Sequence, residues 1–371
     1  MSLVPPSGLR TPALLLDLGA VDQNLDAMIR AVGGTATRWR PHVKTAKLGA
    51  VMQRMVRRGL TRFKCATTLE LSVALEAGAT DVLVAFPHVG ANAARIVEIA
   101  RAHPTARVSG LVETETHVDS WRDSGLALFA DLNSGMNRTG GVPDAPRIVA
   151  LARAITGSGC TFGGLHWYDG HMHGLGDLGE RERAAHAGYR ALGALVTALA
   201  AAGVRVPEVI VAGTPAAVPA ASYREFKDWP SDVQLSPGTV VYNDLTSLSQ
   251  IPEAWGLAAA VHVLATVVSH PTPTRFTCDA GHKAVSADAG VPTCAVVGHP
   301  EWTPTKPSEE HLPIDVPPGT PLPAIGTQLM LLPVHVCPTV NNFDDAVAHE
   351  KGAGWHRLPV TARGREAPVG T

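Results

Sequence analysis

Lys44 stands in the segment Arg40-Pro41-His42-Val43-Lys44-Thr45-Ala46-Lys47, where a β-leaning run, Thr37 to Arg40, gives way to the helical spacing of Leu48, Val51, Met52 and Met55. A lysine at such a junction can project its amine into a cleft. Buried beside other cationic groups its pKa falls, and the neutral amine becomes a nucleophile able to form a Schiff base. Lys44 and Lys47 would equally well solvate the start of a helix, so the rest of the chain must decide. Other polar or glycine-bearing segments also follow β-leaning runs. Asn133-Ser134-Gly135-Met136-Asn137-Arg138-Thr139-Gly140 presents Arg138, and Leu165-His166-Trp167-Tyr168-Asp169-Gly170-His171 presents Tyr168. Val211-Ala212-Gly213-Thr214-Pro215 and Ser236-Pro237-Gly238-Thr239 present two Gly-Thr pairs. Glycine lets backbone N–H groups approach phosphate oxygens, although a lone Gly-Thr also serves as turn punctuation. A Schiff-base lysine, a phosphate cup of Gly213, Thr214, Gly238 and Thr239, and an aromatic with an arginine between them describe a site for pyridoxal 5′-phosphate.

A second cluster lies at Leu331-Leu332-Pro333-Val334-His335-Val336-Cys337-Pro338-Thr339-Val340-Asn341. In a strand, residues i and i+2 share a face, so a strand here predicts that His335 and Cys337 hold one cation together. Imidazole with thiolate favours Zn²⁺ over Mg²⁺ or Mn²⁺. Two protein ligands leave positions open for water and a substrate oxygen, as in a catalytic site. A buried cysteine beside a hydrogen-bonded histidine is the plainer alternative.

The elements that must carry these groups follow from the hydrophobic pattern. Strand-like runs at Thr37–His42, Arg62–Ala66, Asp81–Phe86, Arg107–Val112, Ala127–Leu132, Thr161–Tyr168, Glu208–Ala212 and Asp232–Leu235 alternate with Ala-rich helical stretches such as Leu69–Ala77, Ala91–Ala102, Ala145–Thr156 and Glu180–Ala202. Eight strands with helical connections predict a (β/α)8 TIM-type barrel over residues 11–248, with catalytic groups at the C-terminal strand ends. A doubly wound open sheet shares the same alternation. Residues 249–371 change texture. Runs at Ala258–Val268, Thr274–Asp279, Thr293–Val297, Gln328–Leu332 and His356–Val360 are rich in β-branched residues and separated by Pro/Gly turns, and Pro304–Pro323 reads as a Pro-rich loop. This predicts a second, smaller, mostly antiparallel β domain, to which a strand at Thr11–Asp17 could be joined.

Composition narrows the function. Among 371 residues 45% are hydrophobic and 17% charged, and the formal net charge of −2 gives no basic excess for nucleic acid or an anionic membrane. Five cysteines at unrelated spacings suggest no disulfide framework. No charged segment followed by a long apolar run opens the chain, and no stretch approaches the roughly 20 apolar residues of a membrane span. A cytoplasmic protein is expected.

Taken together and in order, Arg-Pro-His-Val-Lys-Thr-Ala-Lys, Gly-Met-Asn-Arg-Thr-Gly, Tyr-Asp-Gly-His, Gly-Thr-Pro and His-Val-Cys-Pro-Thr-Val-Asn resemble the D-threonine aldolase/D-serine dehydratase family of fold-type III enzymes. The resemblance implies an alanine-racemase-like barrel with pyridoxal phosphate on Lys44 and Arg138 near the pyridine 3-oxygen. It implies Tyr168 against the ring, Gly213 and Thr214 at the phosphate, and a metal on His335 and Cys337. Relatives often carry Gly-x-Tyr after the eighth strand, where this chain reads Gly238-Thr239-Val240 with Tyr242 two residues later. The family implies a homodimer and a D-3-hydroxy-amino acid substrate. Within it, dehydratases resemble His-x-Cys and aldolases His-x-Asp, so Cys337 points to a dehydratase of the D-serine or D-threo-3-hydroxyaspartate type. The aldolase is the alternative within the family. An amino-acid racemase and a non-catalytic cofactor-binding protein are the alternatives outside it.

Overall fold

A computed structural model describes residues 3–368; the last positions of the region 249–371 lie outside the described residues. The described chain forms two compact units: a barrel unit of residues 28–44, 52–238 and 365–368, and a sheet unit of residues 3–27, 45–51 and 239–364.

The sheet unit contributes the first strand, β1 (Ala13–Asp17). The barrel unit then supplies β2 (Arg62–Cys65), β3 (Asp81–Val84), β4 (Arg107–Val112), β5 (Ala127–Leu132), β6 (Thr161–Trp167), β7 (Glu208–Val211) and β8 (Asp232–Leu235), paired in parallel in that order. Their near-continuous apolar runs are those of strands covered on both faces. Leu83, Leu111, Phe129 and Ile210 meet in the core. The run expected at Thr37–His42 is not a regular strand, because Ala36–Arg38 forms a 3₁₀ turn. Bridges at Trp39↔Leu235 and His42↔Lys64, with Arg40 N–H to Leu235 O at 2.8 Å and Lys64 N–H to Pro41 O at 2.9 Å, nonetheless close the ring between β8 and β2. Pro41 has no N–H to give to a ladder, which limits the segment to these bridges. The fold class read from the sequence, a (β/α)8-type barrel with a mostly antiparallel β unit, is the one observed.

Charged residues at the N-terminal ends of the barrel strands tie them together. The Arg40 guanidinium, wholly buried, donates to both oxygens of Asp81 at 2.8 Å, to Gln234 Oε1 at 2.6 Å and to Glu208 at 3.1 Å, and Arg107 pairs with Asp81 and Glu208. Gly164 shows why its position takes no side chain: at φ +135° a Cβ would stand 1.9 Å from Glu208 O, where β6 meets β7.

In the sheet unit the remaining strands are β9 (Val261–Thr272), β10 (Arg275–Cys278), β11 (Cys294–Val296), β12 (Thr303–Pro304), β13 (Leu312–Asp315), β14 (Gln328–Pro333), β15 (Asp345–Glu350) and β16 (Gly354–Pro359). They run in the order β12-β13-β10-β9-β1-β15-β16, with β14 pairing β9 and β11. All pairs are antiparallel except β1 with β15. β1 lies inside this sheet, with Leu14, Leu15 and Leu16 at most 1% exposed. Part of the Pro-rich segment expected to be loop forms β13, whose Leu312 and Ile314 are buried. Among the described residues no helix is long and apolar enough to cross a membrane.

Candidate active site

Lys44 follows the first barrel segment, and a second lysine lies close by. Lys64, the third residue of β2, is 2% exposed. Its Nζ lies 3.1 Å from His166 Nε2 on β6, and His166 Nδ1 lies 2.6 Å from Asp131 Oδ1 on β5. With Nδ1–H donated to the carboxylate, Nε2 is left to accept from the Lys64 ammonium. Burial, and next the charge of Lys44, bring Lys64 down to about 7. Burial and then Lys64 hold His166 below the usual histidine value, so the imidazole is neutral. Burial opposes ionisation of Asp131, but His166, Thr139 and Lys64 outweigh it and keep it a carboxylate.

Tyr168 stands just beyond β6, and the glycines around it fix its ring. A Cβ on Gly170 would come within 2.4 Å of the ring and one on Gly213 within 2.8 Å. The Arg138 guanidinium lies 5.0 Å from the ring centroid and Lys64 Nζ 5.5 Å, both within cation–π reach. Arg138 is delivered by a loop in which Asn133 Oδ1 accepts from the N–H groups of Gly135 and Asn137, and Asn137 is left-handed at φ 53°. Gly140 must be glycine, since its Cβ would sit 2.5 Å from Asn133 N. His171 packs on Gly135, and its Nδ1 is buried with no hydrogen-bond partner.

The seventh-strand loop is strained. Ala212 adopts φ 67°, a left-handed conformation that costs an L-residue roughly 1–2 kcal/mol. The next residue, Gly213, donates its N–H to Asp169 Oδ1 at 3.0 Å, and Tyr189 Oη donates to Asp169 Oδ2 at 2.8 Å. Burial nevertheless pushes Asp169 up to about 6. Thr214 is buried and begins a 3₁₀ turn, where N–H groups lack intrahelical acceptors. Gly238 has a packing reason of its own, since a Cβ there would stand 2.5 Å from His42 O. The barrel unit thus gathers Lys44, Arg138, Tyr168, Gly213 and Thr214, with Gly238 against the first segment. A lysine amine, a ring platform with an arginine over it, and a strained loop ending on a buried threonine fit pyridoxal phosphate.

In the sheet unit His335 and Cys337 do not lie on a strand. His335 caps the helix Val336–Asn341, and Cys337 is in its first turn. Pro338 explains the change, because proline is tolerated in a first helical turn and cannot donate to a sheet ladder. The two side chains still share a hydrogen bond. His335 Nδ1 lies 2.7 Å from Asp288 Oδ2, and Val336 N–H donates to Asp244 Oδ2 at 3.0 Å. Although burial pulls His335 down, Cys337 and Asp288 push it up to about 9. Thr45 Oγ1 lies 3.0 Å and Thr239 Oγ1 3.7 Å from Cys337 Sγ, so Thr239 is found beside the sulfur. Among the described residues no third His, Cys, Asp or Glu completes a metal-binding group with the pair. An imidazole oriented by a carboxylate beside a thiol fits a cation whose other positions are open to water or substrate.

Sequence reasoning missed Lys64, Asp131, Asp169 and Asp288. Asp131 had a signal, being the one polar residue in the buried strand Ala127–Leu132, and Lys64 a weaker one, since Arg62 in the same short strand is also charged. Asp288 stands just after the polar-rich turn Cys278–Ser286, which reads as a hairpin turn, and its role depends on a loop meeting His335. Two other polar residues of the 278–288 region are structural. Asp279 accepts from Thr266 N–H at 2.7 Å and from the Thr11 hydroxyl at 2.6 Å, and Lys283 pairs with Glu309 and Glu310 at the surface.

A parallel barrel with a lysine following its first segment, and a mostly antiparallel β unit in the same chain, define the alanine-racemase-like class of pyridoxal phosphate enzymes. Residues 16–244 match the family "Alanine racemase, N-terminal domain" and residues 260–349 match "Putative serine dehydratase domain". The chain is 28% identical to a D-threonine aldolase of Arthrobacter sp. (97% of this chain, 94% of the relative). It is 27% identical to a D-threo-3-hydroxyaspartate dehydratase of Delftia sp. strain HT23 (94% and 97%). The crystal structure of D-threonine aldolase from Filomicrobium marinum superposes with a TM-score of 0.84 at 28% identity, over 96% of each chain. The chain belongs to the D-threonine aldolase/D-threo-3-hydroxyaspartate dehydratase family of pyridoxal phosphate-dependent lyases.

Proposed function

We propose that this lyase is a pyridoxal phosphate- and divalent metal-dependent dehydratase of D-3-hydroxy-amino acids, D-serine or D-threo-3-hydroxyaspartate in type, releasing a 2-oxo acid and ammonia. The observation that carries the reading is the Cys337 thiol hydrogen-bonded to the imidazole of His335, which Asp288 orients with Oδ2 2.7 Å from Nδ1. Pyridoxal phosphate, held by Lys44, Arg138, Tyr168, Gly213 and Thr214, would supply an electron sink for Cα. A divalent cation on His335 and Cys337, Zn²⁺ by the softness of sulfur, would supply Lewis acidity at the substrate hydroxyl.

The chain's own residues do the rest. Lys44 removes the Cα proton, and its neighbour Lys64, backed by His166 and Asp131, gives it a place to send that proton. Tyr168 orients the ring, and Gly170 and Gly213 keep Tyr168 in place. Asp288 holds the imidazole of His335 in one orientation. Removal of a Cα proton is the opening step of dehydration, whereas retro-aldol cleavage opens at the hydroxyl. The buried amine beside Lys44 therefore favours the dehydratase.

The aldolase reading draws on the 28% identity to the Arthrobacter enzyme. Incubation with cofactor, Zn²⁺ and, separately, D-serine, D-threo-3-hydroxyaspartate and D-threonine decides between them. The dehydratase yields 2-oxo acid and ammonia in equal amounts. Glycine and an aldehyde, without either, would establish the aldolase.

A further inference from the structure

Lys64 is the buried group whose placement asks for a specific role. The parallel bridge His42↔Lys64 sets it beside the first barrel segment, tied by Val43 N–H to Lys64 O at 2.7 Å. Lys44 lies two residues beyond His42, in the turn that follows, close enough for its charge to act on Lys64. Across the barrel, Lys64, His166 and Asp131 form a continuous line, at 3.1 and 2.6 Å, ending on a buried carboxylate.

We propose that Lys64 is the proton store of Lys44, the amine that takes up the proton Lys44 acquires and later returns it, with His166 and Asp131 holding it in place. This rests on Lys44 acting as the base of the reaction above. The step balances without redox chemistry. One N–H bond of the Lys44 ammonium breaks, one forms on the neutral Lys64 amine, and the lone pair left behind stays on Lys44. The new ammonium donates to His166 Nε2, whose Nδ1–H remains on Asp131. The reverse transfer restores both amines.

The charged and titratable groups facing Lys64 agree with the role. Burial, Lys44 and Arg40 favour its neutral form, while Asp131 and Asp169 favour its charged form. A group poised near neutrality both accepts and releases a proton at working pH. Lys64 acts through Lys44 and is a positioning residue.

The test is NMR titration of the full-length, cofactor-free chain carrying ¹³C-labelled lysine, with the Lys64 signal assigned by its loss in Lys64→Met or, should that variant fold poorly, Lys64→Gln. Lys64 is expected to titrate near pH 7 and to move up by a unit or more in Lys44→Ala, which removes the neighbouring charge. A midpoint in the ordinary lysine range near 10.4, or no response to Lys44→Ala, overturns the proposal. This readout needs neither cofactor nor turnover, so it stands apart from any failure of the dehydratase reading.

In the loaded enzyme, Lys64→Met should lower kcat about 10²-fold with KM unchanged and remove the acid limb of the kcat profile. Lys64→Arg keeps a charge but cannot release a proton, and should fare no better. Rescue by Lys64→Arg, or an acid limb that persists in Lys64→Met, would mark a merely structural cation and overturn the proposal.

Discussion

Asp169 holds a carboxyl where burial works against charge even though two donors reach it, and its value of about 6 lies above the ordinary 3.8. The native state therefore binds that proton more tightly than the unfolded chain does. The stability this contributes is complete below pH 3.8 and is lost as pH rises through 6. Thermal melts across pH 4 to 7 should show Tm falling through this window, and Asp169→Asn, which keeps an acceptor for Gly213 N–H and can donate its NH2 to Tyr189 Oη, should flatten that part of the curve. An unchanged slope would assign the effect elsewhere. At His335, Asp288 supplies the orienting carboxylate. Zinc content by mass spectrometry should fall at least 10-fold in Cys337→Ala, and Asp288→Ala should weaken zinc affinity by roughly 10–100-fold, the usual effect of losing a ligand's support. Wild-type zinc in Cys337→Ala would remove the pair from any metal role.

At the scale of elements, the barrel is held at the N-terminal ends of its strands by the cluster around Arg40, and the residues proposed to hold the cofactor lie beyond the opposite ends. Arg40→Ala would leave Asp81 and Glu208 without their buried partner, and breaking such a pair costs about 3–5 kcal/mol. Urea denaturation should register a loss of that order, and a change below 1 kcal/mol would show that Arg107 alone satisfies both carboxylates. Seven of the barrel strands were legible because parallel strands covered on both faces are apolar runs bounded by turns. The first was legible only in outline, since Pro41 breaks the ladder and leaves bridges where a strand was expected. The His335 segment was misread for a related reason. Val334, Val336 and Val340 suggest a strand, but Pro338 suits a helix's first turn, and the chain follows the proline. Asp131 and His166 are register partners on neighbouring strands, but Lys64 lies on β2, and only the closure of the barrel brings it to them.

At the scale of the whole molecule, two of the five points where the chain passes between its units are Lys44–Thr45 and Gly238–Thr239. Both crossings fall in segments singled out for chemistry, so residues read as one motif in the sequence are divided between units in the fold. Thr239, expected at the phosphate, lies beside Cys337, while Gly238 packs on His42. The family follows from the whole chain, with the alanine-racemase-type match over residues 16–244 and the dehydratase-type match over 260–349. The account depends most on Lys44 being the lysine that carries the cofactor. Borohydride reduction of the cofactor-loaded protein, followed by proteolysis and mass spectrometry of the labelled peptides, measures this directly. The pyridoxyl label should fall on Lys44, and Lys44→Ala should take up none. Label on Lys47 or Lys64 in the wild-type protein, or label retained in Lys44→Ala, would contradict the account.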